Sequence, residues 1–246
     1  MYKKILLRLL AGLTALLLLA ALLLMANSFV GNPFTAGAAK QKGREYLKER
    51  YGHLDLKIEE VAYNPKDSSY SISVLSGTSR DTHFSLAYRE GEIYLDNYED
   101  TVLSGMNTMD RLCDEYKKRL TSLVQANMGG VVSISVMPEK LNRYDLDLDA
   151  PFDERLVQNV EISVRTTGGN DAEHLADTLK ALFSLMMERG YGAARFSITG
   201  EREGDLTELM NISAAHVAGD DLEAVLQRAI TETEYDGIIA FSKGLK

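Results

Sequence analysis

From Leu9 to Val30 the chain runs through leucines, alanines and other uncharged residues, and nothing ionisable occurs between Leu9 and Ala39. A peptide group without a hydrogen-bond partner in hydrocarbon costs several kcal/mol, so a helix of roughly 20 apolar residues is what crosses a bilayer alone. Leucine and alanine are strong helix formers. Residues 9–30 are therefore expected to be a transmembrane anchor, preceded by a basic tail, 1–8, with Lys3, Lys4 and Arg8, and followed by a linker, 31–36. The competing reading is a cleaved secretory signal, because Ala26 and Ser28 are small residues two apart. A signal's apolar core spans about 7–15 residues. This run is longer, which favours a retained anchor.

Orientation follows from charge. The basic residues ahead of the run favour a cytoplasmic amino terminus and a body outside the cytoplasm, in a single-pass protein of the cell membrane. Lys40, Lys42, Arg44 and Lys48 weaken the asymmetry, but they start behind a neutral Gly31-Asn32-Pro33 break.

The whole chain holds 27 Lys and Arg against 36 Asp and Glu; without Lys3, Lys4 and Arg8, 24 cations face those 36 carboxylates. An acidic body disfavours nucleic acid, whose phosphates demand a basic face. It also disfavours broad adsorption to anionic lipid, the stretch Lys40 to Arg50 excepted. A single cysteine, Cys113, rules out an internal disulfide. The body must be held by its apolar core, for which its length suffices.

Hydrophobic periodicity divides the body into two α+β domains, expected at 37–128 and 129–246. Phe34, Ala38, Tyr46, Leu47, Tyr51 and Leu54 fall near helical spacing, and Gly52 is expected as a left-handed cap. The period then becomes two. Leu56 to Tyr63, with an irregularity at Glu59-Glu60, Tyr70 to Val74, Phe84 to Tyr88 and Ile93 to Leu95 read as a four-stranded antiparallel meander. A long helix carries Val102, Met106, Met109, Cys113, Tyr116, Leu120 and Leu123 on one face, with Asp96, Glu99 and Asp100 at its start, and stops at Gly129-Gly130. Beyond it the order is β-β-α-β-β-α, with Ile238 to Phe241 as a final short strand. The fold class expected is α+β: an anchor, a helix with a meander, a long helix, then a mixed or antiparallel sheet with helices on one face.

At Gly31-Asn32-Pro33, Asp81-Thr82-His83-Phe84, Asp96-Asn97-Tyr98-Glu99 and Asn107-Thr108 through Tyr116, the sequence resembles the YfjL-like proteins of Gram-positive bacteria. The likeness covers roughly residues 1 to 127 and is diffuse beyond. It implies a membrane-anchored extracytoplasmic protein and no particular reaction.

Chemistry-bearing patterns are few. G-x-S-x-G, Ser-x-x-Lys, H-E-x-x-H, a phosphate-binding glycine loop and a dinucleotide fingerprint are all absent from the sequence, and no cofactor is implied. Cys113 sits on an apolar helical stripe, where a thiol is normally inert filling. His53, His83, His174 and His216 are scattered; His174 reads as a solvated residue of a first helical turn. Asp81 and His83 stand two apart, which on a strand places them on one face. They are either an oriented imidazole in a polar groove or a surface pair at a strand entrance. Asp145, Asp147 and Asp149 at strand spacing would put three carboxylates on one side, a weak candidate for Ca²⁺ and equally the charged outer face of an edge strand.

The reading that follows is a non-catalytic interaction module at the cell envelope, binding a protein or peptide through an exposed sheet face or edge. Ser69 to Ser73 and Ser133 to Ser135 are the candidates for strand addition. One alternative is an enzyme with a dispersed site near Asp81 and His83. Another is an ion or small-ligand sensor using the acidic connection.

Overall fold

The computed structural model describes residues 10, 12–19, 31–139, 146–152 and 160–244. Leu10 and residues 12–19 are helical; the rest of the expected anchor, 9–30, lies outside the described residues. Among the described residues no helix is long and apolar enough to cross a membrane. The body is α+β and divides into two units, one ending at Ser104 and the other starting at Gly105.

The first unit opens with α1, Pro33–Tyr51. The Gly31-Asn32-Pro33 motif is its start signal. Asn32 caps the helix by accepting from the Phe34 amide at 2.9 Å, and Pro33, whose ring presets φ, takes the first turn. Gly31 has φ +77°, and a Cβ there would lie 2.6 Å from the Tyr63 ring. The linker expected at 31–36 is thus only two residues long before helix begins. Tyr70 ties this start to the sheet, its phenol accepting from the Asn32 amide at 2.6 Å and donating to the Asn32 carbonyl at 3.0 Å. Gly52 ends α1 in the right-handed region, φ −61°, not the left-handed cap expected. Glycine fits there because a Cβ would stand 2.5 Å from the Lys48 carbonyl oxygen.

Four strands follow, β1 (Leu56–Asn64), β2 (Ser69–Ser76), β3 (His83–Arg89) and β4 (Glu92–Asp96), paired in sequence order and antiparallel throughout. The β1 irregularity falls where expected, at the register shift between Ile58 and Glu60. β3 and β4 join through Glu90-Gly91, both at positive φ, the backbone of a two-residue hairpin turn. Ala39, Gly43 and Leu47 of α1, at four-residue spacing, are buried with Ile72, Val74, Phe84 and Leu86 of the sheet. β2 is paired on both sides, so Ser69 to Ser73 cannot accept an added strand.

The long helix differs from expectation. Glu99–Leu103 is a π-helical turn, the Ser104 amide reaching back to the Glu99 carbonyl at 3.0 Å, and Gly105 at φ +76° breaks the chain before α2, Met106–Asn127. Val102 is buried in the first core, whereas Met109, Cys113, Tyr116, Leu120 and Val124 belong to the second. The boundary expected at Gly129 therefore falls after Ser104, because the apolar stripe of α2 packs in the second unit.

That unit continues with β5 (Val131–Pro138), β6 (Val160–Thr167), α3 (Ala172–Glu188), β7 (Arg195–Arg202), β8 (Asp205–Ser213), α4 (Ala214–Ala218), α5 (Leu222–Glu232), β9 (Glu234–Tyr235) and β10 (Ile238–Gly244). Its six-stranded sheet runs in the order β5-β6-β7-β8-β10-β9 and is mixed: β6 and β7 are parallel across the α3 crossover, and the other described pairs are antiparallel. Asp171 caps α3, accepting from the His174 amide at 3.0 Å. β8 stops at Ser213, which caps α4 reciprocally with His216. Val160, Ile162 and Val164 alternate into a core shared with Leu175, Leu179, Leu182, Leu222 and Leu226 of the helices. Between them, Glu161 accepts from Ser197 and Glu201 pairs with Arg165 at 2.8 Å, so the same strands carry cross-strand polar contacts. Among the described residues β5 is an edge strand of this sheet, and Ser133 to Ser135 lie on it.

Candidate functional site

A polar cluster in the first unit gathers on Asp96, the last residue of β4. Its side chain is 11% exposed. Oδ2 accepts from the Tyr51 hydroxyl at 2.7 Å and the Tyr46 hydroxyl at 2.9 Å, and Oδ1 accepts from the Tyr98 amide at 3.0 Å. Arg50 closes the group from α1: its Nε lies 3.9 Å from Oδ2, and Nη1 donates to the Tyr46 hydroxyl at 3.1 Å. The guanidinium carbon stands 5.9 Å from both the Tyr46 and Tyr51 ring centroids, within cation–π reach. Tyr51 also packs against Tyr98 and Phe84, with centroids at 4.7 and 5.7 Å.

A cleft of about 440 Å³ opens beside this cluster, lined by Tyr46, Arg50, Tyr51, Tyr94, Asp96 and Glu99 among others. Burial first, then donation to the Asp96 carboxylate, pushes the Tyr46 and Tyr51 phenols above the ordinary tyrosine range. Tyr98 shifts the same way through burial and the Asp96 charge. These hydroxyls stay protonated near neutral pH. They are oriented donors and aromatic walls of the cleft.

The candidates read from the sequence lie on other elements than this cluster. Asp81 lies in the bend before β3 and is 1% exposed, while His83 is the exposed first residue of that strand. Asp81 thus precedes the strand that His83 opens. Asp145 lies outside the described residues. Asp147 and Asp149 are on a turn rather than a strand, the Ala150 amide donating to the Asp147 carbonyl at 3.1 Å with Asp149 at φ +60°, so alternate-side geometry is lost there. Among the described residues no group of three acidic, histidine or cysteine side chains could hold a metal ion. Cys113 is buried, and desolvation, helped by Asp110 and Asp114, pushes its thiol up to about 12. His174 is half-buried rather than solvated, its ring filling the space above Gly169, where a Cβ would lie 2.5 Å from the imidazole. His216 contacts Asp236 at 3.1 Å.

The sequence reading missed the site because each member had a local explanation. Tyr46 and Tyr51 fitted a helical core stripe, and Asp96 fitted a helix start. The available signal was the motif Asp96-Asn97-Tyr98. Asn97 Oδ1 accepts from the Ser85 amide at 2.7 Å and pins the end of β4 to β3, while its two neighbours build the cluster.

Residues 4–97 match the family model of the YfjL-like N-terminal domain. The chain carries a YfjL-like N-terminal domain. Tyr46, Arg50, Tyr51 and Asp96 all fall inside it. The YfjL-like likeness continues past that domain: the uncharacterized protein YfjL of Bacillus subtilis (strain 168) is 21% identical over 208 residues, covering 80% of this chain and 87% of that protein. No solved structure matches the chain.

Proposed function

We propose that this YfjL-like protein is a membrane-anchored, non-catalytic binding module of the cell envelope. Residues 9–30 hold it in the membrane, and both α+β units lie outside the cytoplasm. The observation that carries the binding reading is the Asp96 cluster. Its carboxylate is already shared among two phenols, an amide and a guanidinium, and the phenols hold their protons. Such groups are preorganised for hydrogen bonding and stacking, which suits recognition of a protein or peptide segment. The high thiol pKa of Cys113 supports the same reading, since the thiolate is the nucleophilic form.

Two measurements test this. Alkaline carbonate washing of membranes and external protease on intact cells test place: the protein is expected to stay with the membrane and its body to be digested. A photo-crosslinking residue in place of Tyr94, which is 46% exposed on the cleft, tests binding. A discrete adduct is expected in cells, weakened by Asp96→Ala. Absence of an adduct from several cleft positions refutes the binding role, and a protected body refutes the location.

A further inference from the structure

A second cavity of the first unit, about 560 Å³, runs between α1 and β1. Along its helical side lie Lys40, Arg44 and Lys48; Leu54, Leu56 and Ile58 give the opposite side its apolar surface, with Lys57 also lining the cavity there. Four-residue spacing puts the three cations on one flank of α1, about 6 Å apart along the axis. None of the three forms an ion pair among the described residues. That is notable in a chain with 36 acidic and 27 basic residues. Within α1 itself the balance is reversed, five cations (Lys40, Lys42, Arg44, Lys48, Arg50) standing against Glu45 and Glu49.

We infer that this groove seats an anionic phospholipid, its phosphate headgroup on Lys40, Arg44 and Lys48 and the top of its acyl chains against Leu54, Leu56 and Ile58. A row of unneutralised cations beside apolar surface matches the amphiphile's two halves, and neither a soluble anion nor a neutral lipid satisfies both. Position in the chain agrees. α1 starts at Pro33, three residues beyond the apolar run, which keeps its cations near the membrane surface if that run is the anchor. The inference rests on the anchoring proposed above, and the two fail separately in the experiment that follows.

The full-length protein in detergent is offered phosphatidylglycerol and phosphatidylcholine of the same acyl composition in equal amounts, and retained lipid is read by native mass spectrometry. Preferential retention of phosphatidylglycerol is expected. Each charge removed from the groove lowers it about fivefold, and the triple variant Lys40→Gln, Arg44→Gln, Lys48→Gln on the order of a hundredfold. Arg44→Lys, which retains the charge, keeps the preference. A Lys3→Gln, Lys4→Gln, Arg8→Gln variant keeps it too. Equal retention of the two lipids by the native protein overturns the inference. So does a preference lost with the tail variant and retained by the groove variant. A glutamate-rich peptide that binds where phosphatidylglycerol does not would give the groove to an acidic protein segment, and likewise overturns it. A protein released by alkaline carbonate that still prefers phosphatidylglycerol through these cations refutes the anchor and leaves the groove assignment standing.

Discussion

The Tyr51 hydroxyl donates to Asp96 Oδ2 at 2.7 Å, joining the last residue of α1 to the last residue of β4. With the Tyr46 hydroxyl on the same oxygen at 2.9 Å, this contact closes the helix onto the far edge of its sheet.

Hydrogen bonds to a charged acceptor contribute about 1.5–3 kcal/mol each. Tyr51→Phe and Asp96→Asn are therefore each expected to destabilise the first unit by about 1–3 kcal/mol, and the double variant by less than their sum. The check is a double-mutant cycle in urea with hydrogen exchange followed at the end of α1. Strict additivity would mean the two side chains do not act on each other.

Alkaline pH should loosen the same region. The folded phenols of Tyr46, Tyr51 and Tyr98 titrate above the ordinary value of 10.0 that applies in the unfolded chain. The folded state then holds protons that the unfolded state releases, so stability is complete below that value and declines as pH climbs past it. Ultraviolet absorbance of tyrosinate should show a group of tyrosines ionising only as the protein unfolds. Ionisation of every tyrosine together, with structure intact, would contradict the burial of these hydroxyls.

Cys113 is expected to resist alkylation. Burial and a thiol pushed up to about 12 leave almost no accessible thiolate at neutral pH. Iodoacetamide labelling followed by mass spectrometry should be slow in the native protein and rapid in denaturant. Fast native labelling would place the thiol at the surface.

Gly200 tests the crossover of the second unit. A Cβ on this β7 residue would stand 2.6 Å from the Gly169 carbonyl oxygen and 2.7 Å from Leu175, so the strand passes directly under the turn that starts α3. Gly200→Ala is expected to cost about 1–3 kcal/mol through overpacking against backbone that cannot step aside. Thermal unfolding measures it, and an unchanged midpoint would mean the turn is free to shift.

Much of the architecture was legible from near neighbours in the chain. Alternation in Tyr70 to Val74 and Phe84 to Tyr88 marked two strands of the meander. The bulge in β1 was legible from the break in its alternation. Gly105 was not recognised as a stop. Its left-handed backbone separates Val102 from Met109, although the two sit at apolar positions of what reads as one stripe. Periodicity reports that a residue is buried, not which core it enters.

The sequence by itself determined the succession of helices and strands, the acidic balance and the apolar run at 9–30 that predicts an anchor, because each depends on composition or on residues a few positions apart. Tertiary structure alone decided that Tyr46, Tyr51 and Asp96 meet, that α2 serves the second core, and that Lys40, Arg44 and Lys48 line a groove with Leu56 and Ile58. Partners 45 or 50 positions apart come together only once strand register and helix packing are set, and those are properties of the whole folded unit that no local pattern carries.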